Sequence, residues 1–257
     1  LDTLWLRTDH GALLGTLTIY GCHPTSLGGY LIGPDYPGFL CRHVEADTGS
    51  PALFATGCAG DVRPWFTKEG AEGFLRPSLQ ELEAAGLGMA REVLSGRTAA
   101  IPLDAEQLHI DHVLHRLPYT ELPSREQLLA EIDSEDPRAR DWSAAMLQRL
   151  DAGGLADASP HEVQVLQLNP KFRVVFLGGE VLSEIGLHIK QELAPATTIT
   201  VAYANGLIAY IPSANAYPLG GYEVSGSHRY FLRPAPFTAA CEELIVETVG
   251  RLLERLG

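Results

Sequence analysis

Short runs of β-branched and aliphatic residues alternate along this chain with amphipathic segments that carry helix-capping signals, and that alternation limits its fold most. Residues 1–8 and 12–22, rich in Leu, Thr and Ile, read as two strands about the turn Asp9-His10-Gly11. Pro37 suits the first turn of a helix running to Ala46, and Pro51-Ala52-Leu53-Phe54-Ala55 reads as a buried strand. Ser78 with Glu81 and Ser124 with Gln127 are capping-box pairs, in which hydroxyl and carboxylate or amide satisfy each other's backbone donors. They open helices over 78–96 and 124–133, and another is expected over 137–152. Further strands are expected at 109–115, 162–168, 172–177 and 197–203, with a surface loop over 151–160. Helices are expected at 181–193 and 238–256, where Leu244, Ile245, Leu252 and Leu253 can share a face. Strands interleaved with helices give an α/β class: mixed β-sheet layers with flanking helices, in a single domain over 1–257. At 257 residues and 46% hydrophobic content the chain can bury such a core.

Charge removes several function classes. Thirty-two acidic against nineteen basic side chains give a net charge of −13, so a phosphate backbone finds no basic face. Anionic lipid headgroups are disfavoured equally, whereas a neutral lipid substrate is not. No stretch approaches about 18 uninterrupted apolar residues, the span of a bilayer. The chain opens on Leu1 with no basic-then-apolar leader, and an upstream portion is expected. Cys22, Cys41, Cys58 and Cys241 form no C-x-x-C pair and are expected as packing thiols rather than bridges. G-x-S-x-G, Walker and H-E-x-x-H patterns are absent, and Gly86-Leu87-Gly88 falls inside a helix pattern. His109, His112 and His115 share a strand, where offsets of three alternate faces; a solvent-exposed strand is expected there, not a metal cluster.

Three features stand at strand ends. His23 follows the strand ending at Cys22 and precedes Pro24 and a glycine-rich loop; it reads as a structural histidine or as a ligand. Glu180 follows Gly178-Gly179, either capping the next helix or projecting as a metal ligand or general base. Tyr203, Tyr210, Tyr217, Tyr222 and Tyr230 crowd one Gly/Pro-rich segment, as loop packing or as a pocket wall of rings with polar tips.

At these residues the sequence resembles the neutral/alkaline non-lysosomal ceramidase family, in its N-terminal catalytic domain. The matching stretches are Gly21-Cys22-His23-Pro24-Thr25-Ser26, Ile32-Gly33-Pro34-Asp35-Tyr36-Pro37-Gly38 and Gly57-Cys58-Ala59-Gly60-Asp61-Val62-Arg63-Pro64. Gly178-Gly179-Glu180-Val181, Ala209-Tyr210-Ile211-Pro212 and Gly221-Tyr222-Glu223 follow in family order. The resemblance implies a zinc-dependent hydrolase of an acyl amide such as ceramide, its metal held by two histidines, a glutamate and a tyrosine. By motif, His23 is similar to the second histidine, Glu180 to the glutamate and Tyr210 to the tyrosine; Tyr222 resembles the residue that steadies the developing oxyanion. Asp61 and Arg63 fall in the family's catalytic loop, and Asp35 and Arg63 are assigned to the substrate.

Two departures change what the resemblance implies. The family's first histidine lies in an upstream His-Thr-His-type segment that has no match here, so the chain is expected to begin partway through the family domain. The loop that reads Gly-Asp-x-Ser-Pro in ceramidases reads Gly60-Asp61-Val62-Arg63-Pro64 here. A guanidinium cannot attack a carbonyl, but it clamps carboxylates and phosphates, which points to a substrate more polar than ceramide. The leading expectation is a metal-dependent amide or ester hydrolase acting on a small-molecule or lipid-like acyl substrate. A non-catalytic relative with an incomplete metal site is the alternative, with a carbohydrate-binding module behind it. The family is often exported; compartment and oligomeric state stay open.

Overall fold

The first turn forms where composition placed it, with Gly11 donating to the Thr8 carbonyl at 2.8 Å and adopting φ 81°. A computed structural model describes residues 1–64, 66, 74–103 and 107–256. Within the one domain expected from the sequence, contacts gather into two units, Leu1–Asp104 and Ala105–Gly257.

In the first unit, β1 (Asp2–Arg7) runs antiparallel to β2 (Leu13–Tyr20). The chain then crosses over through α1 (Asp35–Thr48) to β3 (Ala52–Thr56), which pairs parallel with β2. A connection between parallel strands needs such a crossover, and an apolar helix face covers the sheet. Leu40 and Val44 of α1 meet Ala52 of β3 and Ala90 and Val93 of α2 (Leu79–Gly96), with Trp5 and Phe54 packed against them. The capping box opening α2 is formed: Ser78 Oγ accepts from the Glu81 amide at 3.2 Å and Glu81 accepts from the Ser78 amide at 2.7 Å. Gly86 lies inside α2, as expected for a helix glycine rather than a nucleotide loop.

In the second unit, β4 (His109–Pro118) leads to the packed pair α3 (Arg125–Glu131) and α4 (Pro137–Asp151), joined by buried Leu128, Trp142 and Met146. The second capping box forms at Ser124 and Gln127. β5 (Ala158–Asn169) and β6 (Phe172–Leu177) follow, then a two-residue β7 (Glu180–Val181), α5 (Ser183–Glu192) and β8 (Thr197–Val201). The sheet runs β4-β5-β6-β8, antiparallel at its first two pairings and parallel at its last, so this sheet and that of the first unit are each mixed, as expected. β9 (Tyr210–Ile211) pairs parallel with β7, and α6 (Cys241–Leu256) lies on β4 and β5 through Ile245, Thr248, Val249 and Leu252.

Three expectations change. β5 begins at Ala158, inside the segment read as a surface loop. The cap of α5 is Leu182, so Glu180 belongs to a strand and does not cap the helix. His115 is not on a solvated strand face but hydrogen-bonded to buried His161. None of the four cysteines is in a disulfide, and burial pushes Cys22 and Cys241 up to about 11. Among the described residues no helix is long and apolar enough to cross a membrane.

Candidate active site

The first unit presents His23, Asp35, Asp61 and Arg63. The His23 amide and its ring Nδ1 both lie 2.9 Å from the Val62 carbonyl. A carbonyl only accepts, so Nδ1 carries the proton and Nε2 holds the lone pair in the neutral ring. Gly21 is required here because a Cβ would stand 2.9 Å from the Cys58 carbonyl, where the two loops close on each other. Asp61 is exposed at the turn, and the exposed Arg63 guanidinium sits 4.2 Å above the Phe74 ring.

Asp35, expected at the substrate, organises its own loop. It is buried, and its carboxylate accepts from the Ser26 amide at 2.9 Å, the Ser26 hydroxyl at 2.7 Å, the Leu27 amide at 3.2 Å and the Tyr36 amide at 2.8 Å. Four bonds occupy the lone pairs of a carboxylate, so Asp35 holds the loop together. The set tolerates a left-handed φ of 51° at Asp35, a conformation that aspartate visits more readily than most residues.

In the second unit Glu180 and Tyr210 stand opposite each other in the β7–β9 pairing, and the Glu180 amide donates to the Ala209 carbonyl at 2.8 Å. Gly179 makes the approach possible. Its φ is 89°, and an added Cβ would meet the Ala209 carbonyl oxygen at 2.9 Å. Glu180 is buried, and Tyr203 donates to its Oε2 at 3.3 Å from a residue that itself has φ 58°. Burial first, then the hydrogen bond to Glu180 and that carboxylate's charge, push the Tyr210 phenol up, so it is a neutral donor to the carboxylate.

Tyr222 joins this group. Its ring is edge-on to Tyr210 and to Tyr230, each with centroids 5.5 Å apart, and it begins a single π-helical turn over Tyr222–Gly226. Such turns recur at functional sites because they re-aim side chains. Burial, then Tyr230, Glu180 and Glu223, raise its phenol against an opposing pull from Arg138, which keeps a proton on the oxygen. Tyr217 turns elsewhere and donates to the Phe237 carbonyl at 2.7 Å. The structure therefore gathers Glu180, Tyr210 and Tyr222, adds Tyr203, and leaves Tyr217 out. Nothing in the sequence separates Tyr203 from its neighbours, because its contact depends on a left-handed turn.

Among the described residues no three His, Cys, Asp or Glu side chains are gathered as for a metal. Glu180 and Tyr210 supply one such residue between them, the other donor being a phenol. A cleft of about 470 Å³ in the second unit, lined by Glu184, His188, Glu242 and Glu243 among others, contains none of the candidate residues.

The sequence matches no protein-family profile and no curated protein. Its fold is that of solved ceramidases. A neutral ceramidase from Pseudomonas aeruginosa superposes with a TM-score of 0.63 at 20% identity, over 99% of this chain and 46% of that one. A ceramidase complexed with C2 gives 0.65 at 18% identity, over 99% of this chain and 48% of that one. This chain thus spans about half the length of the ceramidases it resembles.

Proposed function

We propose that this chain forms part of a zinc-dependent hydrolase cleaving an amide or ester bond, with Glu180 and Tyr210 as metal ligands in the second unit and His23, in the first, a ligating histidine by its motif. The observation that carries the reading is the β7–β9 pairing, which sets a buried carboxylate beside a phenol at a strand end. The likeness to ceramidase folds supports the reaction class. Imidazole and carboxylate suit Zn²⁺, the charge of a bound cation would displace the proton that Tyr210 otherwise carries, and a histidine whose Nδ1–H is fixed on a carbonyl offers Nε2 as ligating histidines do. When bound, the metal would polarise the acyl carbonyl and bring the pKa of a bound water toward ~7.

The chain's own residues supply the rest. Tyr203 and the Ala209 carbonyl hold Glu180 from side chain and backbone. Tyr222 keeps its proton and so can donate to an oxyanion as charge develops there. Arg63 stands where ceramidases carry serine and cannot be acylated; its planar fork recognises a carboxylate or phosphate on the substrate. Asp61 belongs to the same loop and the same catalytic set. The replacement of that serine is also what favours the alternative, a non-catalytic relative. Metal analysis of the purified chain after zinc addition, with hydrolysis of N-acyl amides measured in parallel, separates the two. One zinc per chain with turnover abolished in Glu180→Gln supports the hydrolase, whereas no zinc and no turnover support the binding relative.

A further inference from the structure

The strand that carries three histidines hides one of them. His115 of β4 faces His161 of β5 across the antiparallel register, its Nε2 2.7 Å from the partner ring's Nδ1. His161 is 1% exposed, and its Nε2 lies 2.9 Å from the Gly178 carbonyl. Because that carbonyl can only accept, His161 carries its proton on Nε2 and a lone pair on Nδ1. His115 must then donate from Nε2, leaving its own Nδ1 toward the Thr248 hydroxyl at 3.2 Å. Arg251 donates to that hydroxyl at 2.8 Å. The Thr248 hydroxyl also donates to the Leu244 carbonyl at 2.6 Å, so its one proton is shared between the two acceptors; from His115 through His161 to the Gly178 carbonyl each bond dictates the next.

That carbonyl is a consequential one. Gly178 precedes the left-handed Gly179, whose turn delivers Glu180 into β7. Two apolar side chains would fill the same space without the desolvation of two imidazoles, and a buried relay with every member paired rigidifies what it ends on. We propose that His161, backed by His115, is a positioning residue for Glu180, fixing the Gly178 peptide that aims the carboxylate. This rests on the reading of Glu180 as a metal-ligating carboxylate.

The test compares wild type, His161→Phe and His161→Gln as full chains, by zinc affinity in competition with a chromogenic chelator and by crystal structures. Phenylalanine keeps a ring and removes the donor; glutamine keeps a donor within reach of the carbonyl. His161→Phe should lose about tenfold or more in zinc affinity while His161→Gln stays within about threefold, the range in which supporting partners of metal ligands act. The Glu180 carboxylate should move by more than about 1 Å in the phenylalanine variant alone, a misplacement large enough to impair chemistry. An unmoved Glu180 in His161→Phe, or equal displacement in both variants, overturns the proposal. If no form binds zinc and Glu180 still moves only in His161→Phe, the positioning role stands and the metal reading falls. Should His161→Phe not fold, His115→Phe removes the donor to His161 Nδ1 and carries the same comparison.

Discussion

Replacing Gly179 by alanine sets a single methyl group against the pairing on which the candidate site depends. The residue adopts φ 89°, and placing an L side chain in left-handed backbone space costs about 1–2 kcal/mol. The new Cβ would stand 2.9 Å from the Ala209 carbonyl oxygen, 3.1 Å from Ile211 Cδ1 and 3.2 Å from Ile208 Cγ1. The nearest of these is backbone and belongs to the same pairing, so β7 and β9 must part. Glu180 N to Ala209 O, at 2.8 Å, and Leu182 N to Ile211 O, at 3.1 Å, then lengthen, at a net loss of about 0.5–1.5 kcal/mol each. Together these give about 2–5 kcal/mol. For a chain of this size the melting temperature should fall by roughly 4–20 °C, followed by circular dichroism. Gly178→Ala is the internal control. Its φ is ordinary, but a Cβ would press on the Gly206 oxygen at 3.2 Å, His161 Cδ2 at 3.3 Å and the Ala204 oxygen at 3.4 Å, so it should lose about 1–2 kcal/mol, less than Gly179→Ala. Equal and small losses in the two variants would refute the argument that Gly179 is what lets Glu180 meet Tyr210.

Tyr222→Phe retains the ring and removes the donor; kcat should fall by roughly a hundredfold with zinc content unchanged, and unaltered turnover would remove Tyr222 from the chemistry. Arg63→Ser should reduce kcat/KM for carboxylate-bearing N-acyl amides by about tenfold or more relative to neutral ones, and identical profiles contradict an anion-clamping role. Burial, with Arg251, lowers His115 to about 4, and burial, with His115, lowers His161 to about 3, against 6.5 for a free imidazole. The unfolded chain therefore takes up protons first on acidification: this contribution is full above about pH 6.5 and falls toward pH 4 by up to about 1.4 kcal/mol per unit for buried His161, and by less for the more exposed His115. Denaturant midpoints at pH 7, 6 and 5 read the decline, which should be shallower in His161→Gln; parallel profiles count against it.

Long elements were legible because their signals are local. Ser78 with Glu81 and Ser124 with Gln127 close their boxes within one helical turn, and the structure forms both. The candidate site was legible only in part, for the opposite reason. β7 and β9 have two residues each, too few for any periodicity, and pair across thirty positions of sequence. Glu180 therefore read equally well as a helix cap until its strand partner was in view. His115 faces His161 only because the β4–β5 register sets them opposite, which spacing within either strand does not reveal. Asp35 matched a family motif, yet three of its four donors, from Ser26 and Leu27, reach it through a loop closure that the motif does not reveal.

The proposed reaction depends on Glu180 and Tyr210 ligating a zinc ion. Crystals of the chain grown with zinc, with anomalous data collected on either side of the zinc absorption edge, test it directly. One strong edge-dependent peak is expected within about 2.0–2.3 Å of a Glu180 carboxylate oxygen and the Tyr210 phenolic oxygen. A peak lying elsewhere, or none at these side chains at saturating zinc, contradicts it.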